Sequence, residues 1–245
     1  LTTGAVVDRV FPLGGRRGER TRIDLSGHGL PSSAVEVEIP RNASRHFITK
    51  IGEASVRLDA DDLPESPEAV DAGDPIKANF LVAPAIGNGR IEKPGEADSW
   101  SFSAKAGEML EIELRAARLG SPLLGVLTVR DAGGKVVATA EGGPQGDPSL
   151  RFTAPASGLF TVAVRDRFAS RGGPEFAYRL RIDRPSPDFD LQFAAGSLTV
   201  ERGKQAALKI LVNRRGGLNA PIRITLEGLP EGVVVPKEPV VAAGQ

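Results

Sequence analysis

Through the middle of this chain, apolar and polar residues alternate with a period of two. Trp100 and Phe102 share one face of a segment whose other face carries Ser99, Ser101 and Ser103. Leu110, Ile112 and Leu114 oppose Glu111, Glu113 and Arg115. Phe160, Val162 and Val164 oppose Thr161, Ala163 and Arg165, and Phe176, Tyr178, Leu180 and Ile182 oppose Arg179 and Arg181. A strand turns successive side chains to opposite faces, so each segment predicts a strand with one buried row and one wet row. Between LLGVLTV and KVVATA, Asp131-Ala132-Gly133-Gly134 predicts a hairpin, since Asp bonds its own backbone and Gly supplies positive φ. Strands with one dry face pack as pairs of antiparallel sheets. The expected fold class is therefore all-β, with antiparallel β-sandwich modules in tandem.

The flanks repeat the pattern with different turns. Within residues 1–60, Thr21, Ile23 and Leu25 alternate with Arg22 and Asp24. Val35, Val37 and Ile39 alternate with Glu36 and Glu38, and Val56 and Leu58 with Ser55 and Arg57. This predicts a small β domain. Residues 61–75, and the acids from Asp59 onward, are rich in Asp, Glu and Pro and read as a solvated linker. Residues 76–184 hold the central sandwich, and Arg184-Pro185-Ser186-Pro187 marks a second boundary. In 188–245, Phe189, Leu191 and Phe193 alternate; Leu198 and Val200, then Ile210 and Val212, then Ile222 and Ile224 follow. About four strands are visible where a complete sandwich has about seven. An incomplete module, in a piece of a longer chain, is expected.

The central stretch resembles the bacterial pre-peptidase C-terminal domain. The pieces that carry the resemblance are Gly89-Arg90-Ile91, Gly95-Glu96-Ala97-Asp98-Ser99-Trp100, Ala106-Gly107-Glu108, Leu119-Gly120-Ser121-Pro122 and Asp147-Pro148-Ser149-Leu150. Gly172-Gly173-Pro174 and Ala177-Tyr178-Arg179-Leu180 continue it in order over roughly 100 residues. The resemblance implies a jelly-roll-like accessory sandwich of secreted proteins, flanking proteases or other enzymes; some members bind collagen or polysaccharide. The first unit is similar to immunoglobulin-like domains of the IPT/TIG kind. The third, through Gly228-Leu229-Pro230-Glu231-Gly232-Val233, is similar to bacterial Ig-like modules.

Composition narrows the chemistry. Basic and acidic residues number 31 each, so no charge excess points to nucleic acid. No apolar run is long enough for a membrane span. Cysteine is absent, which excludes disulfides and thiolate chemistry. There is no Gly-x-Ser-x-Gly elbow and no His-Glu-x-x-His. His28 and His46 read as unrelated surface or turn residues without catalytic partners, and the paired acids Glu111/Glu113 and Glu36/Glu38 as solvated strand faces. Gly14-Gly15-Arg16-Arg17-Gly18 reads as a charged loop, with a polyanion patch as the alternative. Trp100 and Tyr178, the single residues of their kinds, fall in inward rows, leaving little for an aromatic sugar platform.

The acids of residues 61–75 offer one metal-binding expectation. Glu68 and Asp71, with Glu65 and Asp74 nearby, precede the central domain, and Asp98 opens its first marked strand. Hard oxygen ligands suit Ca²⁺, and collagen-binding relatives of the resembled family hold calcium at this junction. Glu68, Asp71 and Asp98 are the expected calcium ligands, against a merely solvated acidic spacer; no other cofactor is expected. The functional expectation is a non-catalytic accessory, binding or spacer region of a larger secreted, periplasmic or cell-surface bacterial protein. Its expected partners are a protein or polysaccharide ligand and further domains of the same chain. A processing segment of a secreted protease, and an enzyme with a site between modules, are the alternatives.

Overall fold

A computed structural model describes residues 6–30, 32–69, 79–142, 146–193, 198–215, 217–226, 229–233 and 239–244. They are all-β, with no α-helix among them and one 3₁₀ turn. The chain divides into two compact units, Leu1–Arg184 and Pro185–Gln245.

The first unit opens with six strands: β1 (Val6–Phe11), β2 (Gly14–Arg16), β3 (Arg20–His28), β4 (Ala34–Glu38), β5 (His46–Ile51) and β6 (Ala54–Asp61). They form two three-stranded sheets, ordered β1-β3-β4 and β2-β6-β5. The alternating rows identified above close one small core: Ile23, Leu25, Val37, Ile39, Val56 and Leu58 are all buried. Gly14 and Gly15 let β2 lie close; a Cβ on Gly15 would meet Ile39 at 2.9 Å.

Ten strands follow in the same unit: β7 (Glu65–Pro67), β8 (Phe80–Leu81), β9 (Ala85–Arg90), β10 (Ala97–Ala104), β11 (Met109–Arg115), β12 (Gly125–Asp131), β13 (Val136–Glu141), β14 (Ser149–Thr153), β15 (Gly158–Asp166) and β16 (Ala177–Asp183). Two five-stranded sheets result, β13-β12-β15-β10-β8 and β14-β11-β16-β9-β7. Their inner rows meet in one core. Trp100, Phe102, Phe160 and Tyr178 are buried in it, as the alternation requires. Phe102, Phe152 and Phe160 stack edge or face at 5.0–5.9 Å between centroids, a preferred aromatic geometry. The β12–β13 hairpin turns where expected: Asp131 Oδ1 accepts from the N–H of Gly133 and Lys135, both at 3.0 Å.

One expectation fails at the junction of the two sandwiches. Of the stretch read as a solvated linker, the described residues 59–69 are partly buried and partly in strands. Asp59 and Asp61 end β6 with 0% and 7% of their surface exposed, and Glu65–Pro67 forms β7, paired in parallel with β9. The composition rule failed because these acids have buried arginine partners elsewhere in the chain.

The second unit holds β17 (Asp188–Phe193), β18 (Ile210–Arg215), β19 (Ile222–Arg223) and β20 (Val240–Val241), paired as β17-β18 and β19-β20. Arg214 links the pairs, donating to the carbonyls of Ala220 at 2.6 Å and Ala242 at 2.7 Å. Leu198 and Val200, read as part of a strand, lie outside any strand and are exposed.

Candidate functional site

Two polar assemblies occupy the first unit. The larger is a buried ion cluster between the small sandwich and the β14-β11-β16-β9-β7 sheet. Cross-strand register places Arg115 of β11 directly opposite Arg179 of β16, and Glu113 opposite Arg181. Like charges set side by side repel. The compensation comes from the end of β6. Asp59 Oδ2 accepts from Arg115 Nη1 at 2.7 Å and from Arg179 Nε at 3.0 Å. Asp61 Oδ2 accepts from Arg115 at 2.9 Å and Arg181 at 3.0 Å. Glu65 of β7 takes Arg179 in a forked pair at 2.6 and 3.0 Å, the geometry in which guanidinium and carboxylate bond most strongly. Arg115 and Arg179 have no exposed surface. Glu113 binds Arg115 and Arg118, and Asp147 accepts from Arg118 and from the backbone N–H groups of 116–118 at the 3₁₀ turn Ala117–Leu119.

Burial alone would push these carboxyls up, but the partners outweigh it. The His46 hydrogen bond and the Arg115 and Arg179 guanidiniums hold Asp59 well below the usual range. Asp61 is likewise held down against burial by Arg181 and Arg115, and Glu113 by Arg115, Arg118 and Arg45. Beside the charges, Leu13, Leu119 and Ala177 form an apolar contact across the same junction, and the Arg90 guanidinium lies 4.2 Å over the Phe11 ring.

The smaller assembly is an acidic relay at one corner of the larger sandwich. Trp100 Nε1 donates to Tyr178 Oη at 2.9 Å, and that hydroxyl donates to Asp98 Oδ2 at 2.7 Å. Asp98 in turn bonds Glu68, whose Oε2 accepts the Arg90 N–H at 3.3 Å. Burial, then the Glu68 charge, pushes Asp98 up to about 8; burial, then the Glu96 charge, pushes Glu68 up to about 7. The pair therefore keeps a proton at neutral pH unless a cation replaces it. The relay needs Gly89, where a Cβ would run into Tyr178 Oη and Glu68 Oε2, and Gly87, where one would sit 2.7 Å from the Trp100 ring.

Of the expected calcium ligands, Glu68 and Asp98 are brought together, while Asp71 lies outside the described residues, as does Asp74. Glu65 is turned away, committed to Arg179 and to the Asn88 side-chain amide. Among the described residues no three His, Asp or Glu side chains converge as a metal cage would.

Other expectations are corrected by the ion cluster. Glu113 is not solvated; only 4% of it is exposed, whereas Glu36 and Glu38 are exposed as read. His46 has a partner, its Nδ1 lying 3.2 Å from Asp59 Oδ1; His28 is exposed at the end of β3. The two arginines of the Gly14–Gly18 stretch bond nearby groups at the surface: Arg16 donates to the Asp62 carbonyl, and Arg17 to the Asp62 carboxylate and the Ala43 carbonyl.

No protein-family model and no curated protein matches the chain. A solved structure does. The chain is similar to the pre-peptidase C-terminal domain of a collagenase from Bacillus anthracis, at 12% identity and a TM-score of 0.35. The match covers 49% of this chain and 96% of that domain. No helix among the described residues is long and apolar enough to cross a membrane.

Proposed function

We propose that the chain is a non-catalytic accessory and spacer segment of a larger secreted, periplasmic or surface protein, its first two sandwiches acting as one rigid strut. The observation that carries this reading is the buried ion cluster. A flexible tether leaves its acids in water, whereas here Asp59, Asp61 and Glu65 are spent on Arg115, Arg179 and Arg181. Breaking such a buried pair costs about 3–5 kcal/mol, so independent tumbling of the sandwiches is opposed. The sequence resemblance to pre-peptidase C-terminal domains supports an accessory role beside a secreted enzyme. The ligand class in that reading is protein or polysaccharide. Residual dipolar couplings test rigidity: one alignment tensor should fit amides of both β6 and β15, and two distinct tensors would contradict the strut. The non-catalytic part fails if purified chain hydrolyses peptide or glycoside substrates and Glu113→Gln or His46→Ala removes that activity.

The acidic relay adds a calcium-binding corner to this proposal. Its two carboxyls are held by O–H and N–H donors and resist ionising alone, so a cation that binds them displaces their proton and is held more tightly as the pH rises. Ca²⁺ takes six to eight oxygens, so Glu68 and Asp98 supply a part and Asp71 is the expected third carboxylate. Saturating Ca²⁺ at a hundredfold excess over its dissociation constant would stabilise the folded chain by about 2.7 kcal/mol. Melting in calcium should exceed melting in chelator, and the difference should vanish in Glu68→Gln. Identical melting in both would remove calcium from the account.

A further inference from the structure

The small sandwich is open along one side. Among the described residues, no strand pairs with the outer edge of β4 or of β5. Between the two edges runs a groove of about 430 Å³, lined by Val35–Glu38 of β4 and by 49–52. At its floor Val37 and Ile51 are buried and Val35 half-buried, while Glu36, Glu38, Thr49 and Lys50 complete the lining. The Leu25 N–H bonds the Ser33 carbonyl, and the Ile39 N–H bonds the Glu19 carbonyl. Antiparallel bonding alternates residue by residue. The backbone groups of Val35 and Val37 therefore turn toward β3, and those of Glu36 and Glu38 toward the open edge. The exposed side chains of that edge are the same two glutamates, opposite Arg22 and Arg20 of β3.

We propose that the free edge of β4 accepts an extended strand from another protein, one that alternates aliphatic and basic side chains. Its backbone would pair with Glu36 and Glu38, and its aliphatic row would fill the groove over Val37 and Ile51. Its Lys or Arg row would lie beside the two glutamates, as opposite charges do across a sheet. Edge strands commonly carry charge to block unwanted pairing. Here the block is selective. A second copy of β4 would set glutamate beside glutamate, and an acidic strand would do the same, whereas a basic strand is favoured. The docking edge is separate from the ion cluster and the acidic relay, and stands whether or not the sandwiches form a strut.

The test uses the whole 245-residue chain and a fluorescein-labelled peptide, Lys-Val-Lys-Ile-Lys-Val-Lys with blocked ends. A second peptide carries Glu at every Lys position, and a third is N-methylated on alternate amides. The Lys peptide should bind at least about tenfold tighter than the Glu peptide, and N-methylation on its pairing side should abolish binding. The double variant E36Q/E38Q, which sets no cation opposite Arg20 and Arg22, should abolish the preference for the Lys peptide. Hydrogen exchange in the complex should slow at the Glu36 and Glu38 amides. The proposal is overturned by equal binding of both charged peptides, by a preference unchanged in E36Q/E38Q, or by protection at Ile48 and Lys50 in place of β4.

Discussion

Replacing Arg115 with Met removes the centre of the ion cluster and keeps most of its volume. Three carboxylates then lose a partner at 2.7–3.0 Å: Asp59, Asp61 and Glu113. Arg179 and Arg181 remain for the first two, and Arg118 for the third, so the loss is that of one partner from a network. Such a loss in a buried setting costs about 3–5 kcal/mol. For a unit of this size each kcal/mol lowers the melting temperature by about 2–4 °C, so about 6–20 °C is expected at pH 7. The penalty has a pH signature. Asp59, Asp61 and Glu113 are held below their unfolded values by their arginines. Their stabilisation is present above the unfolded carboxylate range, near pH 4, and is lost as pH falls through the depressed folded values. In Arg115→Met that depression is smaller, so parent and variant should converge as the pH is lowered below about 4. Calorimetry from pH 8 down through the depressed carboxylate values, to the lowest pH at which the parent still folds, reads both features. A pH 7 shift below about 2 °C, where the reasoning asks for at least threefold more, or a shift of equal size at all pH values, would refute it.

Other outcomes follow from the same geometry. Gly89→Ala drives a methyl into Tyr178 and Glu68 and should destabilise by about 1–3 kcal/mol, the usual cost of overpacking, read as a lower urea midpoint at unchanged slope. Asp98 and Glu68 are raised to about 8 and about 7, so the folded state binds more protons than the unfolded chain from about pH 4 upward, and stability falls as pH rises through those values. In chelator at pH 9, Asp98→Asn should therefore melt above the parent, with a shallower decline between pH 6 and 9; parallel pH profiles for the two proteins would contradict the raised values. Phe160→Ala opens the aromatic cluster of the larger sandwich and should cost about 3–5 kcal/mol, measured by chemical unfolding.

The period-two rows in residues 1–184 were legible because each strand has one dry face, and Trp100, Phe102, Phe160 and Tyr178 lie on it. The other rows were misread. Glu113, Arg115 and Arg179 look like a wet face, since alternation says which residues share a side and nothing about what covers that side. The small sandwich covers it. A signal was present: Arg115, Arg179 and Arg181 stand on polar rows where lysine would serve a solvated face as well, and the acids that match them crowd residues 59–65. Arginine suits buried, forked pairing better than lysine. Glu68 and Asp98 were legible as a pair from the crowding of acids before the central domain, together with the family resemblance. The segment that makes room for their relay, Gly87-Asn88-Gly89, is part of strand β9, with its glycines toward Trp100 and Tyr178 and Asn88 toward Arg179.

The central claim is that the two sandwiches of residues 6–184 are one cooperative body joined by buried charge. Native-state hydrogen exchange on Phe160→Ala addresses it most directly, because the substitution removes contacts only within the larger sandwich. The amides of Val56 and Leu58 in β6 report on the smaller one and those of Val162 and Leu180 on the larger. The account predicts that protection falls by the same factor at all four sites. Parent-level protection retained at Val56 and Leu58, with loss confined to Val162 and Leu180, would contradict it.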